Sequence, residues 1–290
     1  MIFVSSCAKI GINNTPVVRI RPDAAPPHEQ ENAMENSYEL KVIARIYNDF
    51  PEKFGIPRQS GLVPDMRSVI IFEKEYRNDD ALRGLEGYSH LWLIWQFSDS
   101  LREGWSPTVR PPRLGGNRRM GVFATRSPFR PNALGLSSVV LESVERSEKQ
   151  GSVLVVSGAD LMSGTPIFDI KPYVGFTDSH PEARCGFADD FVDYSLRVDF
   201  PRQLLERIEP ENRASLIKVL ENDPRPSYQS DPARVYKMSF GSHTVSFTAD
   251  DEVLTVTDVT ARPDKGYKGV LTCLKHTHTE PATGEAERSS

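Results

Sequence analysis

Cysteine is scarce in this chain of 290 residues. Its three cysteines, Cys7, Cys185 and Cys273, are far apart and form no CxxC pair. A disulfide framework and a zinc knuckle are therefore excluded, and a reducing cytoplasm is expected. The segment IFVSSCAKIGI has no basic start and no long apolar region, so a secretory signal is not expected there. No apolar run approaches the ~18 residues that a membrane span needs. Since the mean hydropathy is −0.42, no membrane role is expected.

Several motifs of nucleotide-binding and hydrolytic proteins are missing as well. The chain has no GxGxxG after a strand, no GxxxxGK[ST], no HExxH and no GxSxG. These patterns mark dinucleotide-binding folds, phosphate-binding loops, zinc proteases and serine hydrolases. None of those four solutions is expected here.

Apolar segments bounded by turn-forming residues predict a sheet-dominated region from Glu39 onward. The candidate strands are ELKVIARIY, SVIIFEK, SHLWLIWQF, SSVVLESVE, GSVLVVSGA and TPIFDIKPY. NDDALRGLEGY carries residues typical of helix N-caps and predicts a short helix. Regular helical crossovers of about 10 to 15 residues are missing, so a mainly antiparallel sheet or closed barrel is favoured over a doubly wound fold.

The composition divides the chain into four parts. Residues 1–35 mix proline, asparagine and acidic residues without periodicity and predict a disordered N-terminal arm. Residues 36–200 form the β domain. Residues 201–276 are predicted to form a small α+β domain, with helical spacing in PRQLLERIEPENRASLIKVLEND and a hairpin turning at Gly241-Ser242. The polar tail, residues 277–290, is expected to be disordered.

The positive charge of the chain is concentrated in one segment. Residues 102–130 hold seven arginines, no lysine and one glutamate, a formal charge of +6, whereas the whole chain carries −5. The arginine fork binds phosphate bidentately and stacks on bases, which makes a phosphate-rich partner plausible. The alternative is that several of these arginines pair with carboxylates on neighbouring strands, although exposed pairs stabilise a fold little.

Within that segment, ATRSPFRPN is stiffened by Pro128 and Pro131. Each proline fixes its own φ and pushes the residue before it into an extended conformation. Arg126 and Arg130 are therefore displayed from a support with little ordering entropy left to lose on binding. Residue spacing alone predicts a basic, barrel-like module for a phosphate-containing ligand, and it leaves His90 as a core hydrogen-bonding residue.

Five segments together resemble one family: IPRQSGLV, LRGLEGYSHLWLI, PTVRPPRLGGNRRMGVFATRSPFRPNALGLS, GADLMSGTPIFDIKPY and NDPRPSYQ. They resemble the TrmO (TsaA-like) tRNA methyltransferases over roughly Glu39 to Val259. The resemblance implies a single-sheeted antiparallel β-barrel with a small α+β C-terminal domain, acting as a homodimer. It also implies methylation, with S-adenosylmethionine, of N6 of threonylcarbamoyladenosine beside the anticodon of threonine-accepting tRNA. The N-terminal arm and GFTDSHPEARCGFADDFVDYS have no clear counterpart.

The resemblance also carries over site residues. It assigns S-adenosylmethionine to Arg58, Gln59, Ser60, His90, Leu91, Arg126, Leu136, Asp160, Leu161, Met162, Ser163, Gly164 and Thr165. Arg126 suits the methionine carboxylate of the cofactor. Asp160 either accepts a hydrogen bond from the cofactor or satisfies the amides of a turn.

The catalytic candidates are Asp169 and Tyr173 in DIKPY, either of which can take the proton that leaves the acceptor nitrogen. The alternative for DIKPY is strand-end packing with an internal ion pair. Transfer from a sulfonium needs alignment and exclusion of water, so no metal is required. The residues expected to contact tRNA phosphates are Arg110, Arg113, Arg118, Arg119 and Arg130.

Three other functions remain open on the sequence. The first is methylation of a small molecule, against which the arginine excess speaks. The second is a non-catalytic RNA-binding barrel, which the cofactor-like PRQ and DLMSGT segments disfavour. The third is a purely structural dimeric barrel, which leaves the proline-stiffened arginine loop unexplained.

Overall fold

The computed structural model describes residues 17–19, 38–100, 103–111, 114, 118–191, 194–225 and 231–262. Apart from residues 17–19, the predicted N-terminal arm lies outside the described residues. The predicted C-terminal tail, residues 277–290, lies outside them too.

Six antiparallel strands build the N-terminal domain: β3 (Ala44–Tyr47), β4 (Arg67–Phe72), β5 (His90–Gln96), β8 (Leu134–Ser147), β9 (Gly151–Ser157) and β10 (Pro166–Pro172). They pair in the cyclic order β10-β3-β4-β9-β8-β5, which closes the sheet into a barrel. A short pair, β1 (Val17–Arg19) and β2 (Glu39–Lys41), precedes them.

The barrel core follows from the alternation of side chains along the strands. In β5, Leu91, Leu93 and Trp95 point inward and are buried. The core position that residue spacing predicted for His90 is wrong, because His90 is exposed on the outer face. Burying each aliphatic side chain of this kind contributes about 1.5–3 kcal/mol. The inward residues of β5 pack against Ile46, Ile70, Val139, Leu154 and Ile167 from the other strands.

Two irregularities bend the barrel strands. The register of β8 shifts between Leu141 and Ser143, and that of β10 shifts between Ile167 and Asp169. A bulge adds one residue to a strand and re-aims the side chains that follow it. Beyond the second shift, Asp169 lies opposite Ile94 and Lys171 opposite Trp92, so DIKPY presents its polar residues on the outer face.

The C-terminal domain is a four-stranded sheet with two helices. The strands are β11 (Arg197–Asp199), β12 (Tyr236–Phe240), β13 (His243–Ala249) and β14 (Val253–Ala261), in the order β11-β14-β13-β12. The helices are α2 (Arg202–Leu205) and α3 (Pro210–Glu221), and α3 buries Leu216, Val219 and Leu220. The hairpin predicted at Gly241-Ser242 is confirmed, because Phe240 pairs directly with His243.

The two domains are packed together. Phe50, Val63 and Met66, which lie in the chain between β3 and β4, belong to the buried core of the C-terminal sheet. β11 also belongs to that sheet, although it precedes residue 201 in the chain. The predicted mainly β fold followed by an α+β region is confirmed. The loop of residues 48–66 packs against the C-terminal core and so holds the two domains together.

The remaining elements are short. The helix predicted in NDDALRGLEGY is wrong in detail: the structure has two 3-10 turns, Asp79–Leu82 and Leu85–Gly87, separated by Gly84. The left-handed backbone of Gly84, with φ of 86°, ends the first turn before a helix can propagate. β6 (Thr108–Val109) and β7 (Met120–Gly121) pair at the base of the arginine segment. A four-residue helix, α1 (Gly175–Asp178), follows β10.

Candidate active site

A cavity of about 340 Å³ opens at the end of the barrel where β5 ends and where β8 and β10 begin. Its size falls in the range of small-molecule sites. The apolar part of its wall comes from Ile56, Trp92, Trp95, Phe97, Leu134, Leu136 and Met162. Its charged side chains are Lys53, Arg58, Asp99, Arg126, Arg130 and Asp160.

Gly135 makes room for the tryptophan that forms the floor of this cavity. A side-chain β-carbon on Gly135 would lie 2.2 Å from Cε2 of Trp95, an impossible contact. The indole of Trp95 therefore packs directly over the backbone of β8, and its position depends on the absence of a side chain at Gly135.

A hydrogen-bonded chain links this tryptophan to a buried carboxylate. Trp95 Nε1 donates to Ser137 Oγ at 2.9 Å, and Ser137 Oγ donates to Asp160 Oδ1 at 2.5 Å. Burial raises the pKa of Asp160, and the hydrogen bond from Ser137 and the charge of Arg126 only partly oppose it. The backbone N–H of Ser60 also faces this carboxylate. Asp160 is thus held in a fixed place at the cavity wall.

Arg126 and Gln59 meet across the cavity mouth. Arg126 Nη1 donates to Gln59 Oε1, and the guanidinium remains exposed. The two residues come from different loops, 57–60 and 121–133. The proline-stiffened segment therefore places an arginine fork beside an amide that has two further N–H donors. That combination suits a carboxylate and a neighbouring polar group of a ligand.

Arg58 ties the cavity wall to the C-terminal domain. Its Nη2 donates to the backbone carbonyls of Asp223 at 3.0 Å and of Arg225 at 2.7 Å. Since Arg58 precedes Gln59 directly, the loop that lines the cavity is held in part by the DPR segment of NDPRPSYQ, which follows α3.

The DPR segment is itself fixed by a buried ion pair. Arg225 Nε donates to Asp223 Oδ1 at 2.8 Å, and Tyr194 donates to Asp223 Oδ2 at 2.9 Å. Burial acts to raise the pKa of Asp223, but the hydrogen bonds from Arg225 and Tyr194 outweigh it and lower that pKa. Asp223 is also the one residue other than glycine with positive φ, at 50°, among the described residues.

A second cluster lies on the outer face of the barrel. The ring centroid of Tyr173 is 5.4 Å from that of Trp92 and 6.0 Å from that of His90. Trp92 Nε1 donates to Asp178 Oδ2 at 2.8 Å. The backbone N–H of Val174 and the indole of Trp92 both donate to Asp178 and lower its pKa. Because Trp92 also lines the cavity, it connects the cluster to the cavity wall.

Comparison with known proteins identifies the chain. Residues 45–179 match the model of the tRNA-methyltransferase O N-terminal domain, and residues 193–262 match that of the TrmO C-terminal domain. The chain belongs to the TrmO family.

Individual TrmO relatives support this assignment. The tRNA (adenine(37)-N6)-methyltransferase of Escherichia coli K12 is 42% identical over 200 residues, covering 67% of this chain and 85% of the relative. The enzyme of the same name from Homo sapiens is 38% identical over 162 residues, covering 55% of this chain and 35% of the relative. A crystal structure of TrmO from Pseudomonas aeruginosa superimposes with a TM-score of 0.61 at 32% identity, covering 77% of this chain and 99% of that one.

The cavity brings together part of the site that the TrmO resemblance implies. The cofactor candidates that line it are Arg58, Gln59, Arg126, Leu136, Asp160, Met162 and Thr165. The backbone N–H of Ser60 contacts the carboxylate of Asp160 from behind the cavity wall. These residues come from four separate stretches of the sequence, which supports a common binding role.

Other TrmO candidates lie behind the cavity wall. Leu91 and Leu161 are in the barrel core. Ser163 accepts a hydrogen bond from the backbone N–H of Asn48 at 3.2 Å, and the carbonyl of Gly164 accepts one from Arg45 at 3.0 Å. The backbone N–H of Gly164 donates to Ile46. These three contacts shape the DLMSGT loop that carries Asp160 and Met162.

The two catalytic candidates and His90 lie on the outer face instead. Asp169 is half exposed and forms an ion pair with Lys171, at 3.0 Å between Oδ2 and Nζ. Tyr173 and His90 belong to the Trp92 cluster, and His90 Nδ1 lies 2.9 Å from Ser89 Oγ. The structure thus separates Asp169 from the cavity, whereas Tyr173 adjoins it through Trp92.

The arginines assigned to tRNA binding split into two groups. Arg110, Arg118 and Arg119 are exposed, and Arg119 Nη1 donates to Thr108 Oγ1 at 3.1 Å, next to the β6–β7 pair. Arg130 lines the cavity and donates to the carbonyl of Thr125 at 3.4 Å. Arg113 lies outside the described residues.

Sequence reasoning missed several residues of the cavity. Trp95 and Gln96 line the cavity from β5, and Ser137 of β8 supports it through its hydrogen bonds with Trp95 and Asp160. Buried strand positions of this kind carry no local sequence signal. Lys53 and Ser100 lie in loops outside every motif. Their place at the cavity follows from how β5 ends beside the loop of residues 48–66, which no local pattern encodes.

Proposed function

We propose that this TrmO-family protein methylates N6 of threonylcarbamoyladenosine in the anticodon loop of threonine-accepting tRNA, with S-adenosylmethionine as the methyl donor. The observation that carries the proposal is that four of the family's motif segments meet at one cavity. The barrel, and not a dinucleotide-binding fold, would then hold the cofactor. A cytoplasmic location, where tRNA is modified, is part of the proposal.

The residues at the cavity fit the cofactor by their chemistry. Arg126 would bind the methionine carboxylate, and Gln59 would offer amide groups beside it. Asp160 would accept a hydrogen bond from a hydroxyl or amino group. Leu136, Met162 and Trp92 would supply apolar surface that excludes water. S-adenosylmethionine supplies an electrophilic methyl group.

The acceptor nitrogen must lose a proton when its new bond to carbon forms. We propose that Tyr173 or Asp169 takes this proton, directly or through water, as the DIKPY assignment implies. Tyr173 is favoured by its contact with Trp92, at 5.4 Å between ring centroids. Asp160 is a third candidate for this proton, because it lines the cavity and burial raises its pKa, which makes the carboxylate a better base.

The substitutions Tyr173→Phe, Asp169→Asn and Asp160→Asn separate these roles. Loss of the proton acceptor lowers kcat while cofactor affinity, measured by calorimetry, stays unchanged. A variant that loses cofactor affinity in proportion to activity has lost a binding residue instead.

Exposed arginines would hold the tRNA through its phosphates. Arg118→Ala combined with Arg119→Ala is expected to reduce the slope of log K against log salt by about 1.4 to 1.8, since each phosphate contact contributes roughly 0.7 to 0.9. The matched control is Arg83→Ala with Arg146→Ala, two exposed arginines at the opposite end of the barrel. An equal slope in both double variants would contradict the assignment.

A homodimer is also part of the proposal. The outer face near the cavity exposes large apolar side chains, among them Leu136 at 55% and Phe176 at 91%. Exposed large apolar side chains are candidates for burial in a protein interface. Light scattering after size-exclusion chromatography measures the mass directly. A monomer at micromolar concentration that is fully active would refute the dimeric unit.

The enzymatic proposal is tested by methyl transfer from radiolabelled S-adenosylmethionine. Two versions of threonine-accepting tRNA are compared, one with and one without the threonylcarbamoyl group. Incorporation into the modified tRNA alone is expected. Bound cofactor without incorporation into either tRNA would favour a small-molecule methyltransferase.

A further inference from the structure

One end of the cavity is polar, and most of its residues lie outside the segments that resemble TrmO. It is formed by Lys53 and by the turn after β5, with Gln96, Ser98, Asp99 and Ser100 all lining the cavity. The residues assigned to the cofactor that line the cavity lie in three loops, residues 57–60, 121–133 and 160–165, and at Leu136 of β8. Leu136 lies two positions along β8 from Leu134, which pairs with Gln96.

Ser100 is the most informative residue at this end. Its residue is 8% exposed, and its hydroxyl oxygen is buried without a hydrogen-bond partner among the described residues. Buried polar groups in folded proteins are almost always paired. An unpaired hydroxyl at a cavity wall is therefore available to a ligand group.

Gln96 adds a second polar group. Its residue is 6% exposed and lines the same cavity, and its side-chain amide makes no hydrogen bond to any residue that the structure describes. The amide can donate two hydrogen bonds and accept others. It is thus placed to bind both a carbonyl and a hydroxyl of a ligand.

Cations complete this end of the cavity. Lys53 Nζ donates to the carbonyl of Asp99 at 3.3 Å, which brings the ammonium beside the turn that carries Ser100. An ammonium has two further N–H donors. Arg130, from the TrmO-like ATRSPFRPN segment, lines the same cavity, and among the described residues its guanidinium donates to the carbonyl of Thr125. The positive charges of Lys53 and Arg130 outnumber the single negative charge of Asp99, so these residues favour an anionic ligand.

We propose that Lys53, Gln96, Ser100 and Arg130 form the subsite that binds the threonyl part of the modified adenine. Lys53 and Arg130 bind its carboxylate, and Ser100 and Gln96 bind its hydroxyl and the carbamoyl oxygen. This inference rests on the function proposed above and assigns the residues that select the modified base.

The subsite explains how an unmodified adenine would be rejected. An adenine without the threonylcarbamoyl group leaves the buried hydroxyl of Ser100 unpaired and the amide of Gln96 without a ligand partner. A site built to bind polar groups discriminates strongly against an analogue that lacks them. Phosphate contacts outside the cavity are the same for both RNAs and add no discrimination.

The test compares the affinities of two anticodon stem-loop RNAs, with and without the threonylcarbamoyl group. Binding is measured by fluorescence anisotropy with S-adenosylhomocysteine present. For the wild type we expect the modified RNA to bind about 10- to 100-fold more tightly, as hydrogen bonds to a charged group allow. In Lys53→Ala and in Ser100→Ala this ratio should fall by about 2- to 10-fold, because each variant loses one of several contacts, and Lys53→Arg should restore part of it.

Three controls make the result specific. Lys41→Ala removes an exposed lysine that pairs with Glu75 and should leave the ratio unchanged. Ser100→Ala should keep or raise the melting temperature, because it removes an unpaired buried hydroxyl. The affinity for S-adenosylmethionine should be unchanged in Lys53→Ala and Ser100→Ala.

The outcomes separate this inference from the proposed function. A wild-type ratio near 1 contradicts the substrate itself, and the subsite with it. A high wild-type ratio that persists in Lys53→Ala and Ser100→Ala overturns the subsite alone. A loss of S-adenosylmethionine affinity in those variants also overturns it, because this end of the cavity then belongs to the cofactor.

Discussion

The buried ion pair in the DPR segment gives the sharpest prediction about stability. Arg225 makes two hydrogen bonds to the Asp223 carboxylate, at 2.8 and 3.1 Å, and one each to the carbonyls of Ala249 and Asp250, both at 2.7 Å. The side chains of the pair are 6% and 11% exposed. Arg225→Ala would leave a buried carboxylate and two carbonyls without this partner.

Breaking a buried pair by removing one member costs about 3–5 kcal/mol. The expected loss for Arg225→Ala is of this size, and the melting temperature should fall by roughly 6–20 °C. The carbonyls that hold Arg58 belong to the same segment. The affinity for S-adenosylmethionine should therefore weaken as well, because the loop with Gln59 loses its support.

Urea denaturation, followed by circular dichroism, measures the free energy of unfolding. The matched control is Arg202→Ala, which removes an exposed i,i+4 pair with Glu206 at 2.8 Å and should cost about 0.3–0.5 kcal/mol. If Arg225→Ala costs no more than this control, the ion pair does not hold the segment. If it lowers stability but leaves cofactor affinity unchanged, the coupling through Arg58 is wrong.

Three further predictions concern the cavity and its support. Gly135→Ala should destabilise the protein by about 1–3 kcal/mol in urea denaturation, because its new β-carbon would overlap Trp95, whereas Gly87→Ala has open space and should have little effect; equal losses would refute the steric argument. The pKa of Asp223 is lowered in the fold, so its ionisation stabilises the fold at pH values above the unfolded pKa near 3.9, and this contribution is lost as pH falls through the folded pKa. Asp223→Asn should therefore flatten the acid limb of the curve of stability against pH. An unchanged acid limb would contradict the pairing. The pKa of Asp160 is raised in the fold, so its ionisation lowers stability as pH rises above about 3.9. In thermal unfolding, the melting temperature of Asp160→Asn should therefore rise relative to that of the wild type as pH increases. A difference that stays constant with pH would contradict the shift.

The strands and the hairpin could be predicted because local patterns encode them. The apolar residues of HLWLIWQ mark a strand, and Gly241-Ser242 marks a two-residue turn. The core position predicted for His90 is wrong, because the alternation of side chains along β5 turns His90 outward. The short helix predicted before β5 is wrong, because the left-handed backbone of Gly84 interrupts the segment. Local signals give element type well and helix continuity less well.

The joint between the domains could not be predicted. Arg58 binds carbonyls at Asp223 and Arg225, and Phe50 packs in the C-terminal core, although more than a hundred residues separate these partners in sequence. β11 joins the C-terminal sheet from the other side of residue 201. We therefore propose that the domain boundary lies before β11, and limited proteolysis followed by mass spectrometry can place it.

The candidate site shows the same division. The resemblance to TrmO supplied Gln59, Arg126 and Asp160, and the structure brings all three to one cavity. Ser137 ends a TrmO-like segment without a role assigned to it, and Ser100 lies outside all of those segments. Ser137 is recognised by its hydrogen bond to Asp160, and Ser100 by its unpaired hydroxyl. Such pairings depend on tertiary contacts, which a single sequence does not contain.

The central claim is that the cavity transfers a methyl group to N6 of threonylcarbamoyladenosine. Mass spectrometry of nucleosides from tRNA incubated with the protein and S-adenosylmethionine tests it most directly. The account predicts a threonylcarbamoyladenosine heavier by one methyl group with the wild type, and none with Gln59→Ala combined with Arg126→Ala. A methyl group on another nucleoside, or equal yield from that double variant, would contradict it.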